Sequence, residues 1–211
     1  ATPGDPIDAI LGPRAPEAAK ALMRTQLGLD QSLPKQYLDY LGQLLTFDLG
    51  SSITTQGLSV WQIIGAHFPA TVELSMCGLV IAAVVGLTVG SIAASRPNTW
   101  FDTGGRLFGI VTYAIPMYWF GILLQLLFAV QLGWFPTGTR FPFTAVAPDG
   151  PTGLYLLDSL LHGNLAQFGT ALYYLALPSL TLGILISGVF ERIVRVNLRQ
   201  TLKADYVEAA R

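Results

Sequence analysis

Charge is what this sequence has least of. Only 12% of its 211 residues are Asp, Glu, Lys or Arg, against 52% hydrophobic, where a soluble chain carries about 25% charged residues. A single cysteine, Cys77, excludes an internal disulfide framework and a CxxC metal site, and reads as a small apolar helix residue. With two histidines, His67 and His162, and no HExxH, a metalloprotease site is also excluded. No lysine follows a glycine, so no phosphate-binding GxxxxGK[ST] loop exists. "GSSIT" at 50–54 lacks the second glycine of a nucleophile elbow. A net charge of −1 supplies no basic field for nucleic acid. "ATPGDP" has neither the basic start nor the apolar run of a signal peptide, and the chain reads as a piece cut at both ends.

What is present is long apolar sequence. There are 22 residues without a formal charge between Glu73 and Arg96, 33 between Arg106 and Arg140, and 32 between Asp158 and Glu191. About 20 mainly apolar residues cross the hydrocarbon core as a helix. The fold class expected is therefore all-α, a polytopic membrane helical bundle, with crossings at 70–95, 106–132 and 171–195. A fourth charge-free stretch, 49–72, contains "GSSITTQG" and is too polar to insert. Its second half, "VWQIIGAHF", predicts a short helix lying at the membrane surface, with Trp61 and Phe68 at the interface.

The remaining charges set an orientation. The loop between the first two crossings and the segment after the third carry +3 together. Residues 1–69 and 133–170 carry −3. The positive-inside rule puts the first set in the cytoplasm and the second outside. Residues 1–69 thus form an extracytoplasmic segment, and residues 70–211 the membrane domain with a cytoplasmic C-terminal segment.

Within the crossings, Gly78, Ala82, Gly86, Gly90 and Ala94 recur every four residues. They form a stripe on which two helix backbones approach closely. Pro116 in "YAIPMYWFG" predicts a kink, and Tyr113 and Tyr118 beside it are candidates for lining a pathway. Pro178 is expected before the third crossing or in its first turn. Glu73, four residues after Pro69, reads as an acid in the first turn of its helix, complementing the helix dipole; a place in the pathway is the alternative. Arg192, Arg195 and Arg199 repeat at helical intervals and suit anionic lipid heads or a cytoplasmic partner. Asp205 and Glu208 have capping-box spacing, so a short helix is expected from Asp205, slim at Ala209 and Ala210, with Tyr206 and Val207 as apolar contacts.

Seven blocks occur in order: "TPGDPIDAILG" (2–12), "LGLDQSLPKQYLDYL" (27–41), "FDLGSSI" (47–53), "FPATVELS" (68–75), "LGWFPTG" (132–138), "LPSLTLG" (177–183) and "DYVEAAR" (205–211). This series resembles the permease subunits of bacterial dipeptide/oligopeptide/nickel ABC importers over essentially the whole chain. Phe47 stands where many such permeases have Gly before "DLG", and the loop from Arg140 to Tyr174 is longer than in compact members, with "TGLYLLDSLLHGNLAQF" suited to an outside amphipathic helix. The resemblance implies the type I permease fold of six helices, of which the three crossings are the second to fourth. It implies an inner-membrane protein that is not itself an enzyme and binds no cofactor. ATP and magnesium would lie on two cytoplasmic ATPase subunits, beside a second permease subunit and an extracytoplasmic solute-binding protein. In that scheme residues 203–211, through Asp205, Tyr206, Val207, Glu208, Ala209, Ala210 and Arg211, form the coupling helix that docks on the ATPase. Two other classes fit the composition: a secondary carrier or channel without an ATPase, for which internal repeats and intramembrane ionisable groups would speak, and an integral-membrane enzyme, for which no catalytic motif speaks.

Overall fold

The computed structural model describes residues 6–12, 14–52, 57–202 and 204. Among them there are helices and one isolated bridge, Ser51 with Ser59, but no strand. The chain forms two compact units, Ala1–His67 and Phe68–Arg211. Residues 205–211, the expected coupling helix, lie outside the described residues, as does Lys203.

The first unit holds α1 (Pro6–Leu11), α2 (Glu17–Gln26) and α3 (Leu33–Leu45). Lys20 Nζ lies 2.8 Å from Asp8 Oδ1 and ties α2 to α1 beside the fully buried Ile7. Pro34 sits in the first turn of α3, where a missing donor costs nothing. Beyond α3 the chain turns sharply. Phe47 has φ +56°, a left-handed conformation that favours glycine. Two bonds hold the turn: the Gly50 N–H donates to Asp48 Oδ1 (3.0 Å), and the Trp61 indole N–H donates to the Phe47 carbonyl (2.6 Å).

The apolar windows become α4 (Val60–Ser95), α5 (Trp100–Ala114), α6 (Met117–Leu124) with a π-helical continuation over Gln125–Gln131, and α8 (Leu165–Leu202), preceded by the short α7 (Tyr155–Leu161). By length and composition α4 and α8 are each able to cross a membrane. So is the pair 100–114 and 117–131 if it counts as one bent span.

Three expectations need correction. No separate surface helix precedes the first crossing: α4 starts at Val60 and runs through Pro69 without a break. Pro178 is not at a helix start but well inside α8. In both places a proline removes one backbone hydrogen bond, a loss that packed neighbouring helices make tolerable. Third, the kink at Pro116 is a complete break. Ile115 and Pro116 are both extended (ψ 126° and 127°), and the helices on either side diverge by 101°. Proline's ring pushes the preceding residue out of the helical region, which ends α5, and its fixed φ then starts α6.

Small residues set the packing of the second unit. Its buried apolar positions are mostly alanines, among them Ala82, Ala93, Ala94, Ala129 and Ala171. Gly78, Ala82, Gly86 and Gly90 are all buried on one face of α4. A Cβ on Gly78 would come 2.7 Å from Leu182 Cδ2, one on Gly86 2.6 Å from the Ser187 carbonyl, and one on Gly90 2.8 Å from the Glu191 carbonyl. From the other side, a Cβ on Gly183 would meet Ile81 at 2.6 Å, and one on Gly188 would overlap Thr112 Oγ1 of α5. So α4, α5 and α8 pack on one another with backbones nearly touching, a Cβ on Gly105 of α5 also coming 2.7 Å from Ala93 Cβ of α4. In lipid such close approach supplies the van der Waals attraction that a hydrophobic driving force supplies in water.

Candidate functional site: buried ion pairs at two ends of the bundle

Along α4 the stretch from Glu73 to Gly90 spans about 26 Å at 1.5 Å per residue, close to the thickness of a bilayer core. Buried carboxylates mark both of its ends.

At one end Glu73 is 6% exposed. It lies well inside α4 rather than in a first turn, so the expected dipole-capping role does not hold. Its partners come from the long connection before α7 and from the first turn of α7. Arg140 Nη2 donates to Glu73 Oε2 (2.8 Å) and to the Gly153 carbonyl (2.7 Å), and the Leu156 N–H donates to Glu73 Oε1 (2.6 Å). The guanidinium lies over the Tyr155 ring at 3.7 Å, a cation–π contact. Nearby, Asp158 is fully buried; its Oδ1 accepts the Thr152 hydroxyl (2.7 Å) and N–H (3.3 Å). A side chain at Gly150 would overlap that carboxyl group. The 140–158 region is thus clasped to α4 and to itself.

At the other end Asp102 and Glu191 are 0% and 1% exposed. Asp102 accepts from Arg106 (Nη2–Oδ2 2.6 Å) and pairs with Arg199 of α8 (Nη2–Oδ1 2.6 Å), while the Asn98 N–H donates to it at 3.3 Å. Glu191 accepts from Arg195 Nε at 2.7 Å. Its carboxylate fits against two glycines of α5: a Cβ on Gly105 would stand 3.2 Å from Oε1, and one on Gly109 2.8 Å from Oε2. A Cβ at Gly109 would displace the carboxylate from between α8 and α5, and one at Gly105 would crowd it.

Recesses open beside both ends. One of about 400 Å³, lined by Tyr118, Gln125, Thr137, Tyr174 and Thr181, lies against α6 and α8, where Gln125 Nε2 donates to the Thr137 carbonyl. A smaller one of about 220 Å³ includes Glu73, Arg140 and Tyr174. A third, the largest of these at about 640 Å³, lies along α5 and α8 and includes Tyr113, Arg106, Glu191 and Arg192. The four pathway candidates therefore do not converge: Tyr118, Glu73 and Tyr113 border different recesses, and Pro116 lies at the break and lines none of the three. Tyr113 and Tyr118 are both largely exposed. Among the described residues no three His, Cys, Asp or Glu side chains come together as metal ligands.

The sequence counted Arg140, Asp102 and Glu191 only as charges, and it read Arg199 as facing lipid heads or a cytoplasmic partner, whereas the structure pairs it with Asp102. Two of the pairs were visible as i,i+4 spacings, Asp102–Arg106 and Glu191–Arg195. Glu73–Arg140 and Asp102–Arg199 join distant segments, and no local signal announces them.

The profile of the family described as "Binding-protein-dependent transport system inner membrane component" matches residues 86–211, from the middle of α4 through α8 and beyond. The chain is 38% identical over 99% of its length to the di/tripeptide transport system permease protein DppB of Pseudomonas aeruginosa (strain UCBPP-PA14), covering 62% of that protein. It is also 38% identical to the probable D,D-dipeptide transport system permease protein DdpB of Escherichia coli (strain K12), over 99% of the chain and 61% of the relative. To the dipeptide transport system permease protein DppB of Alkalihalophilus pseudofirmus it is 31% identical, over 97% of the chain and 61% of the relative. The chain thus spans about three fifths of the length of these relatives. An all-helical apolar bundle, packed on glycines and matched by the profile across most of its second unit, belongs to the binding-protein-dependent transport system inner membrane component family.

Proposed function

We propose that this chain is the central part of a permease subunit in an ATP-driven importer of di- or oligopeptides. The observation that carries it is similarity over nearly the whole chain to proteins named as peptide transport permeases. In this reading a second permease subunit completes the pathway, an extracytoplasmic binding protein delivers the peptide, and two cytoplasmic subunits bind ATP and magnesium. Residues 1–69 and the Glu73–Arg140 end face outward, and the Asp102–Glu191 end faces the cytoplasm. Asp205–Arg211 dock on the ATPase, whose closure would rock the bundle as a rigid body. The clasp at each end suits such motion, because ion pairs with few alternative partners keep helix ends together while the bundle tilts.

The test is peptide uptake by proteoliposomes holding the full-length chain with its genomic-neighbour ATPases and permease. Uptake should require ATP, and Glu208→Lys or Ala209→Trp should uncouple hydrolysis from uptake. Unchanged coupling in both variants would remove the docking role. One observation favours a second reading: the broken pair α5 and α6 is of the kind secondary carriers use at substrate sites. Uptake that ignores ATP but collapses with the proton gradient would select it.

A further inference from the structure

The 640 Å³ recess is sorted along its length. On α5 its lining passes from Ala114, Tyr113 and Ile110 to Arg106; on α8 it passes from Leu185 and Val189 to Arg192 and Arg195. Gly109 and Gly105 of α5 lie against Glu191, and Thr112 lies against Gly188, so the two helices run antiparallel and their gradients point the same way. One end of the recess is apolar and the other basic. Ile110, Tyr113, Val189 and Ile193 are exposed on its apolar walls.

Among the described residues the basic end is not fully neutralised. Arg106 and Arg199 share the single charge of Asp102, and Arg195 takes that of Glu191. Arg192 is exposed and forms no ion pair among the described residues. Four arginines thus meet two carboxylates, leaving two positive charges beside an apolar groove. At the edge of a hydrocarbon core, excess positive charge calls for an anion, and the groove above it calls for a chain.

We propose that this recess binds one anionic phospholipid, with its phosphate at Arg192 and Arg106 and an acyl chain along Ile110, Val189 and Ile193. A peptide would leave unmatched backbone amides on the apolar walls, and a partner helix would leave the two charges uncompensated. Arginine suits a phosphate better than lysine, because its planar fork reaches two oxygens at once. The site lies apart from the Tyr118 recess; it shares Arg106 with the clasp at the Asp102 end, but lipid retention is read without transport, so the two readings fail separately.

The full-length protein, stripped of native lipid in detergent and supplied with phosphatidylglycerol or phosphatidylcholine, is analysed by native mass spectrometry. Wild type should retain phosphatidylglycerol in preference to phosphatidylcholine. Arg192→Gln, at an exposed position that leaves folding intact, should weaken that retention about fivefold, the contribution of one arginine near an anionic surface. Val189→Trp should abolish it by filling the groove with the charges untouched. Equal retention of the two lipids, or phosphatidylglycerol retention unchanged in both variants, overturns the proposal. So does efficient cross-linking of a cysteine at position 193 to another protein subunit, since a partner would then occupy the groove.

Discussion

The two ends of the second unit hold buried carboxylates by different means. At the Glu191 end the pairs are mostly made within one helix turn, Asp102 with Arg106 and Glu191 with Arg195, and only Arg199 reaches across from α8. At the Glu73 end the cation arrives from far along the chain, and the carboxylate's second oxygen is taken by a backbone amide at Leu156. The first arrangement stiffens helices already in contact. The second pins a long connection whose position helix packing alone does not fix. A local pair survives rearrangement of its surroundings; a long-range clasp is lost when the loop moves.

Perturbations of that contrast should differ in size and in what they release. The largest effect is expected at the contact joining α5 to α8. Gly188→Leu drives a side chain into Thr112, with the Gly109 backbone of α5 3.4 Å behind, and should cost about 3 kcal/mol or prevent assembly. Folded yield in detergent and thermal unfolding measure it. Arg140→Ala and Arg195→Ala should each cost on the order of 3 kcal/mol, because each strands a buried carboxylate. They separate on limited proteolysis: Arg140→Ala should open the 140–158 region to cleavage, and Arg195→Ala should leave it protected. Equal protection in both would mean that Glu73 does not hold the loop. Thr152→Ala, which removes a donor from Asp158 but leaves Glu73 paired, should cost about 1–3 kcal/mol and expose the same region more weakly. The smallest effect lies in the first unit, where Phe47→Gly relieves a left-handed residue whose side chain is mostly exposed. Relief of about 1–2 kcal/mol less the entropy cost of glycine leaves a gain of about 0.5–1 kcal/mol. Slower hydrogen exchange around residues 44–50 would register it.

The helices were legible because charge-free length is a strong signal, and the stripe at Gly78, Ala82, Gly86 and Gly90 because its period is that of one helix face. Helix starts were read less well. Pro69 and Pro178 look like boundaries in sequence, since proline removes a donor, yet α4 and α8 pass through both. Pro116 has the same chemistry and ends a helix. The difference lies in the surroundings, which no local pattern reports. Glu73 was misplaced for a related reason: once Pro69 is taken as a helix start, an acid four residues later looks like a cap. Its cation, Arg140, lies 67 residues away. Phe47 shows the reverse, since the departure from glycine noticed in the sequence falls at the residue the structure holds at φ +56°.

The break at Ile115 and Pro116 has a mechanical consequence. Below it, α5 is joined to α8 by glycine contacts with no slack, at Gly188 against Thr112 and at Gly105 and Gly109 against Glu191. Above it, α6 meets α8 more loosely, and a Cβ on Gly121 would stand an ordinary 3.4 Å from Thr181. The Ile115 N–H closes α5 on the Val111 carbonyl and the Pro116 carbonyl opens α6 by accepting from the Phe120 N–H, each at 3.1 Å, so each bond stays within its own helix. A displacement of α8 therefore takes α5 along as a passenger, and the linker allows α6 to lag behind. One half of the broken span is geared to its neighbour; the other is free to slip.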